Sequence, residues 1–362
     1  LPRLKSAGVI ATYNTGVCGE PKKAPLKERL LAQSPIRLAM LGVSWWTEKV
    51  FPGFSSCSDI EIVHVSSRSE EKARNFAQQH GIPNYSGDLR EAIHAENVDA
   101  VFVAVPNHMH EEVAIGALAV GKHVLLEKPL ALGIDKAVAL MRIAEQRGLI
   151  LMPNQEVRLT DAFSDLPQII EQQIGPLRRA EFTVTKAADT WTGWRANKAQ
   201  SGGTLFEMAL HQLDLLRWVF RRDPPAVWAT GQDDPGSDMT IVLDFGGGDT
   251  GVVSYCWRSV GFSFRLSLAG GQGTLLQELD VETGIGFRKI TTAHGSVETE
   301  LKAPVLCSET FRRVAEAFVH AVRFGDNPPI TAEDGVWAVR MAASAREAMR
   351  TGEWTSTREI PV

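Results

Sequence analysis

The 362 residues exceed one domain of roughly 100–200 residues and suit two. Hydrophobic residues make up 44% and charged residues 22%, an ordinary globular usage that excludes a disordered or low-complexity chain. With 38 basic against 43 acidic side chains the net charge is −5, which argues against a nucleic-acid partner, and no apolar run is long enough to span a membrane. Cys18, Cys57, Cys256 and Cys307 are scattered without a CxxC, so neither a disulfide scaffold nor a metal site is expected and a cytoplasmic location is the default.

Residues 1–35 read as an N-terminal arm: basic, without an acid before Glu20, and bounded by Pro35. Such an arm lies extended on the body or a partner subunit, or is a residual targeting segment; it lacks the apolar stretch of a secretory signal. From residue 36 short apolar runs at 36–41, 60–65, 98–105, 122–126 and 149–152 alternate with helical stretches at 69–80, 88–95, 108–120 and 134–147. Apolar runs too short for helices, spaced by amphipathic segments, predict a doubly wound parallel sheet over 36–155, an α/β fold. Its ligand crevice lies beyond the carboxyl ends of the strands, so the residues that follow each run are the candidates.

After the first run comes Gly42-Val43-Ser44-Trp45-Trp46-Thr47, which keeps one glycine of a G-x-G-x-x-G dinucleotide fingerprint and puts Ser44 and Thr47 in the other two places. Both are small and able to donate to phosphate. After the second run, where an acid would bind the ribose hydroxyls of NAD, stand Ser67 and Arg68, with Lys72 one helical turn on. A hydroxyl and cations there favour a 2′-phosphate, hence NADP in preference to NAD. The third run ends in Val105-Pro106-Asn107-His108-Met109-His110 and the fourth in Glu127-Lys128-Pro129. Val105, Pro106, Asn107, His110, Glu127 and Lys128 thus join Gly42, Ser44, Trp45 and Trp46 as cofactor-side candidates. A lysine between a buried strand and a proline needs a purpose or a partner.

In the second half, 202–220 reads as a helix opening on a Gly-Gly turn, apolar nearly all round and therefore buried. Glu207, His211 and Asp214 at i, i+4 and i+7 put a polar stripe on it, which must be internally paired or line a cavity. Trp191, Trp194 and Arg195 precede it and suit either a sugar wall or interdomain packing. Runs at 240–245, 251–257 and 262–268 alternate like antiparallel strands, and 310–324 and 332–350 read as structural helices.

The Glu127-Lys128-Pro129 motif together with Glu207-x-x-x-His211-x-x-Asp214, within segments spanning about residues 36–352, resembles the Gfo/Idh/MocA oxidoreductases. The resemblance implies an N-terminal Rossmann domain and, over 156–362, a substrate-binding and oligomerisation domain on a large open, mostly antiparallel sheet. It implies NADP or NAD as cofactor, a sugar, polyol or related small molecule as substrate, a homo-oligomer (dimer or tetramer), and a frequently cis Lys128-Pro129 bond. Lys128 would hold the reacting oxygen, His211 would pass the proton, and Glu207, where most of the family has Asp, would orient His211. Arg158 matches a family arginine and joins Trp194, Arg195 and Asp214 as substrate-side candidates, Asp214 reading equally as a support behind the helix. Two alternatives share this fold: a non-catalytic sugar-sensing regulatory protein, and a glycosidase-type enzyme that uses tightly held NAD for transient oxidation and elimination.

Overall fold

Six segments, five of them mainly apolar and the edge strand β3 short and polar, pair in parallel, in the order β3-β2-β1-β4-β5-β6, in the computed structural model, which describes residues 34–187, 191–234, 236–257 and 260–358. The arm, apart from its last two residues, lies outside the described residues. The strands are β1 (Ile36–Leu41), β2 (Ile60–Ser66), β3 (Asn84–Ser86), β4 (Ala100–Val103), β5 (His123–Glu127) and β6 (Leu151–Asn154). Every residue of β4 is buried, as a strand covered on both faces requires. The order reverses between β1 and β4, which opens a crevice at their carboxyl ends.

The covering helices are α1 (Trp45–Ser55), α2 (Glu70–His80), α3 (Leu89–His94), α4 (His110–Ala119) and α5 (Ile134–Arg147). Side-chain caps start α2 at Ser69 and α3 at Asp88, and left-handed glycines end α2 at Gly81 and α5 at Gly148. Helix α1 was not expected, because Pro52 interrupts its pattern and its apolar residues are not confined to one stripe. It forms because Ser44 caps it and because Val50 and Phe54 are wholly buried.

The second sheet has nine strands in the order β14-β13-β12-β11-β7-β10-β9-β8-β15. They are β7 (Leu177–Lys186), β8 (Ala226–Gly231), β9 (Met239–Gly246), β10 (Asp249–Cys256), β11 (Phe262–Gly270), β12 (Gly273–Asp280), β13 (Ile285–Thr292), β14 (Gly295–Lys302) and β15 (Thr355–Ser356). Only β7 and β10 pair in parallel; every other neighbour is antiparallel. Strict alternation of buried and half-buried residues in β9 and β10 shows one face against the core.

The helix expected over 202–220 is built in two pieces. Leu205–Ala209 is wound as a π-helix and runs into α6 (Leu210–Phe220). The last two helices, α7 (Ser308–Phe324) and α8 (Ala332–Thr351), turn back to the first sheet. Phe311 of α7 lies against Gly53 of α1, where an added Cβ would stand 2.5 Å from the Phe311 Cβ. Gly335 of α8 meets Leu130 and Pro153. One hydrophobic core therefore runs through β1, β4 and β5 of the first sheet and β7, β9 and β11 of the second. No helix among the described residues is long and apolar enough to cross a membrane.

Candidate active site

The carboxyl ends of β1, β2, β4 and β5 and the start of the buried helix face one cleft of about 630 Å³. Its first wall is the turn after β1. Gly42 has φ +107, and a Cβ there would stand 2.3 Å from the Ala104 carbonyl oxygen, so this position takes glycine alone. The two missing glycines are explained locally. Ser44 caps α1 by accepting from the Trp46 N–H at 3.2 Å, and the buried Thr47 donates its hydroxyl back to the Gly42 carbonyl at 2.8 Å. Thr47 thus faces inward and is no phosphate donor.

The two indoles leave the turn accessible. Trp46 donates its Nε1–H to Glu127 Oε1 at 2.5 Å and packs edge-on against Phe311, while Trp45 is 58% exposed. A narrow backbone turn, a helix N-terminus and a bordering Arg68 fit a dinucleotide pyrophosphate and ribose. Gly42, Ser44, Trp45, Trp46, Ser67, Arg68, Val105, Pro106 and Asn107 all line the cleft. Lys72 does not line it; it is exposed in the first turn of α2, its N–H accepted by the Ser69 cap.

Several of these residues are committed to protein partners. Glu127, buried, also accepts from Asn154 Nδ2 at 2.7 Å; burial pushes its carboxyl up, against the pull of Trp46, Asn154 and Lys128. His110 borders the cleft, but its ring nitrogens face the Pro129 and Val105 carbonyls at 2.6 and 2.9 Å, leaving neither for a ligand. Asn107 bridges the two halves, donating to the Ser201 carbonyl at 2.8 Å and to Glu207 Oε2 at 3.0 Å.

The opposite wall comes from the buried helix and the loop before it. Lys128, after a cis bond to Pro129 on its far side, donates to the Glu207 carbonyl oxygen at 2.5 Å, with its Nζ 4.0 Å from Glu207 Oε2. Glu207 Oε1 pairs with Arg195 Nε at 2.8 Å. The Arg195 guanidinium lies 5.2 Å from the Trp45 ring centre and 5.3 Å from that of Trp194, so it ties the second half to the glycine turn. His211 lines the cleft. Its pKa is held well below 6.5, first by burial and then by Lys128, so its imidazole is neutral.

The single polar face expected for Glu207, His211 and Asp214 is not one site. The π-turn takes Glu207 out of the ordinary α-helical register with His211, and the three side chains take three different partners. Glu207 is held by Arg195 and Asn107 and does not orient the histidine. His211 Nδ1 instead faces Glu156 Oε2 at 3.8 Å. Asp214 is buried in a two-pronged pair with Arg158, whose other nitrogen lies 3.3 Å from Asp334. Arg158 and Asp214, expected on the substrate side, are not among the residues that line the cleft; they pair with each other behind it.

Sequence reasoning missed Glu156, Gln212, Phe262 and Phe264, all of which line the cleft. Glu156 opens a 3₁₀ turn (Glu156–Leu159) two residues past the end of β6, so its position at a strand's carboxyl end was the available signal. Gln212 is buried and accepts from the Tyr255 hydroxyl. The phenylalanines belong to β11 and, with Trp191 and Trp194, add aromatic surface to the cleft that Lys128, Glu156 and His211 also line. Among the described residues no group of three His, Cys, Asp or Glu side chains converges as a metal site.

A parallel sheet in the order 3-2-1-4-5-6, with a glycine-only turn and a helix N-terminus at its switch point, defines a dinucleotide-binding Rossmann protein whose second sheet completes the cleft. Residues 36–155 match the oxidoreductase family with an NAD-binding Rossmann fold, and 166–276 match the GFO/IDH/MocA C-terminal domain. The chain belongs to the GFO/IDH/MocA family of oxidoreductases. It is 26% identical to 1,5-anhydro-D-fructose reductase of Ensifer adhaerens over 88% of this chain and 97% of that one. It is 35% identical to 4-carboxy-2-hydroxymuconate-6-semialdehyde dehydrogenase of a Sphingobium species, over 63% of this chain and 72% of that one. Levoglucosan dehydrogenase, solved with NADH and levoglucosan, shares the fold with a TM-score of 0.81 at 19% identity, covering 90% of this chain and 100% of that one.

Proposed function

We propose that this protein transfers a hydride between a nicotinamide cofactor and the carbinol or carbonyl carbon of a cyclic sugar, polyol or related small molecule, with NADP preferred over NAD. The observation that carries the reading is a lysine from the end of the first sheet and a neutral imidazole from the second half on one cleft beside a glycine-only turn. Gly42, Ser44, Ser67, Arg68 and Pro106 would hold the cofactor, whose pyridine ring, when bound, accepts or gives the hydride. Lys128 brings positive charge to the reacting oxygen and favours its alkoxide-like state. His211, kept neutral by burial, takes the hydroxyl proton in oxidation and returns it in reduction. Aromatic surface and polar groups lining one cleft suit a ring with a C–H face and a hydroxyl edge. The names of the Ensifer relative and the levoglucosan enzyme point the same way.

Formation of reduced nicotinamide from the oxidised cofactor with a panel of cyclic sugars and polyols, and its consumption with the corresponding carbonyl compounds, tests the reading. The wild-type protein is expected to turn over at least one of them, and Lys128→Ala and His211→Ala each to lower kcat by about 10²-fold or more while dinucleotide binding persists. Dinucleotide binding without any turnover of sugar would favour a regulatory protein. Product formation from a glycoside without net change in free cofactor would favour transient oxidation and elimination.

A further inference from the structure

Two buried polar atoms of the cleft, Glu156 Oε2 and His211 Nδ1, have no hydrogen-bond partner among the described residues and face each other at 3.8 Å. Glu156 is 2% exposed. Leaving two such atoms orphaned is costly, and the shortfall to a hydrogen bond is about 1 Å, a looseness common in ligand-free catalytic pairs. The charged groups around Glu156 are Glu127 at the end of β5 and Lys128 just past it, His211 and Asp214 from α6, and Arg313 of α7, which holds the Leu159 carbonyl at the far end of the same turn.

Resting on the oxidoreductase reading, we propose that Glu156 is the positioning residue of His211. By donating to or accepting from Nδ1 it sets whether Nε2 meets the substrate as an N–H donor or as a lone pair. Burial, with Glu127 adding and Lys128 opposing, pushes the Glu156 carboxyl up to about 8. Below that value its O–H donates to Nδ1 and the ring carries its proton on Nε2, the form that protonates a carbonyl oxygen. Above it, one proton leaves the pair for solvent. The carboxylate then accepts an N–H from Nδ1, the ring proton having moved from Nε2, and Nε2 is left as a base. In oxidation the substrate O–H bond breaks and an Nε2–H bond forms, the Nδ1 proton passes to the Glu156 carboxylate so that the ring stays neutral, and the hydride leaves carbon for the oxidised nicotinamide; reduction runs these changes backwards. The titration belongs to the pair and not to either residue alone. Oxidation is thus favoured above the transition and reduction below it.

Ring ¹⁵N spectra of the full chain labelled at its nine histidines, with His211→Asn to assign the signal, test this without requiring turnover. The expected result is a change of His211 from the Nε2–H to the Nδ1–H tautomer near pH 8, abolished in Glu156→Gln and partly restored in Glu156→Asp. In kinetics, kcat for oxidation rises roughly tenfold between pH 7 and 9 in the wild type and is flat in Glu156→Gln. One unchanging His211 tautomer from pH 6 to 10 in the wild type overturns the proposal even where a variant fails to fold. The same change surviving in Glu156→Gln overturns it as well. The tautomer change without sugar turnover sustains the pairing and instead removes the substrate reading.

Discussion

On the function proposed above, Arg68 would carry the choice between the two nicotinamide dinucleotides. It stands at the carboxyl end of β2, exposed on the cleft, where NAD-specific sites place an acid. The neighbouring Ser67 is buried, so the cation alone is free to follow a 2′-phosphate. Lys72, the second cation expected there, is exposed and does not line the cleft, so on this reading Arg68 would be the principal contributor. A charge-assisted hydrogen bond is worth about 1.5–3 kcal/mol. Arg68→Ala is therefore expected to raise the Kd of NADP roughly 10–100-fold and to leave that of NAD within about twofold, as read by fluorescence titration. Equal weakening of both would remove the NADP preference. Position in the chain was enough to place this residue on the cleft, since the residues that follow the strand ends line it. Partner choice was not so legible: Glu207 meets Asn107 from 100 residues away and Arg195 from the loop before the helix, and i, i+4 spacing is silent on both.

The segment 201–220 shows why element boundaries carried less information than element existence. Its apolar pattern gave the helix, and the Gly-Gly turn gave its start: Gly203 has φ +72, with Asp233 Oδ1 2.6 Å from the place of a Cβ. The π-turn at Leu205–Ala209 has no counterpart in the pattern, because it is imposed by tertiary contacts at the helix start. Asp233, buried, accepts the Leu205 N–H at 2.8 Å and pairs with Arg346 of α8 at 2.9 Å, and Arg346 also binds the Gly202 carbonyl. Asp233→Ala leaves the Leu205 N–H and the Arg346 guanidinium without this acceptor, at a cost of about 1–3 kcal/mol. We expect a lower Tm and, because the turn carries Glu207 and leads into His211, a kcat that falls further than the stability loss explains at a temperature where the variant is fully folded. A kcat unchanged under those conditions would make Asp233 a purely structural anchor. The strands divide the same way. β9, β10 and β11 alternate cleanly, whereas β14 is exposed along nearly its whole length and offers no hydrophobic periodicity to read.

At the scale of the whole molecule, a boundary near 155 divides the sequence more cleanly than it divides the core. The face of the first sheet that buries Leu38, Met40, Phe102 and Leu125 is shared with Phe311, Val314, Phe318 and Val319 of α7, more than 150 residues later. Phe311, Val314 and Phe318 have no exposed surface. Each such side chain contributes roughly 1.5–3 kcal/mol on burial, against a total stability of about 5–15 kcal/mol for a folded domain. Removing α7 also bares Phe54 and the inner edge of Trp46, the indole that holds Glu127. A fragment of residues 36–155 is therefore expected to lack a cooperative thermal transition by circular dichroism and to bind no dinucleotide. Adding a peptide of residues 305–328 in trans should recover part of both. A cooperative melt of the bare fragment, with dinucleotide affinity equal to that of the whole protein, would show the Rossmann half to be self-sufficient and α7 to be a mere cover. The coupling has a functional corollary: the helix that completes the first sheet's core belongs to the chain that also builds the opposite wall, so the distance between Lys128 and His211 is set by the same packing that keeps the cofactor half folded.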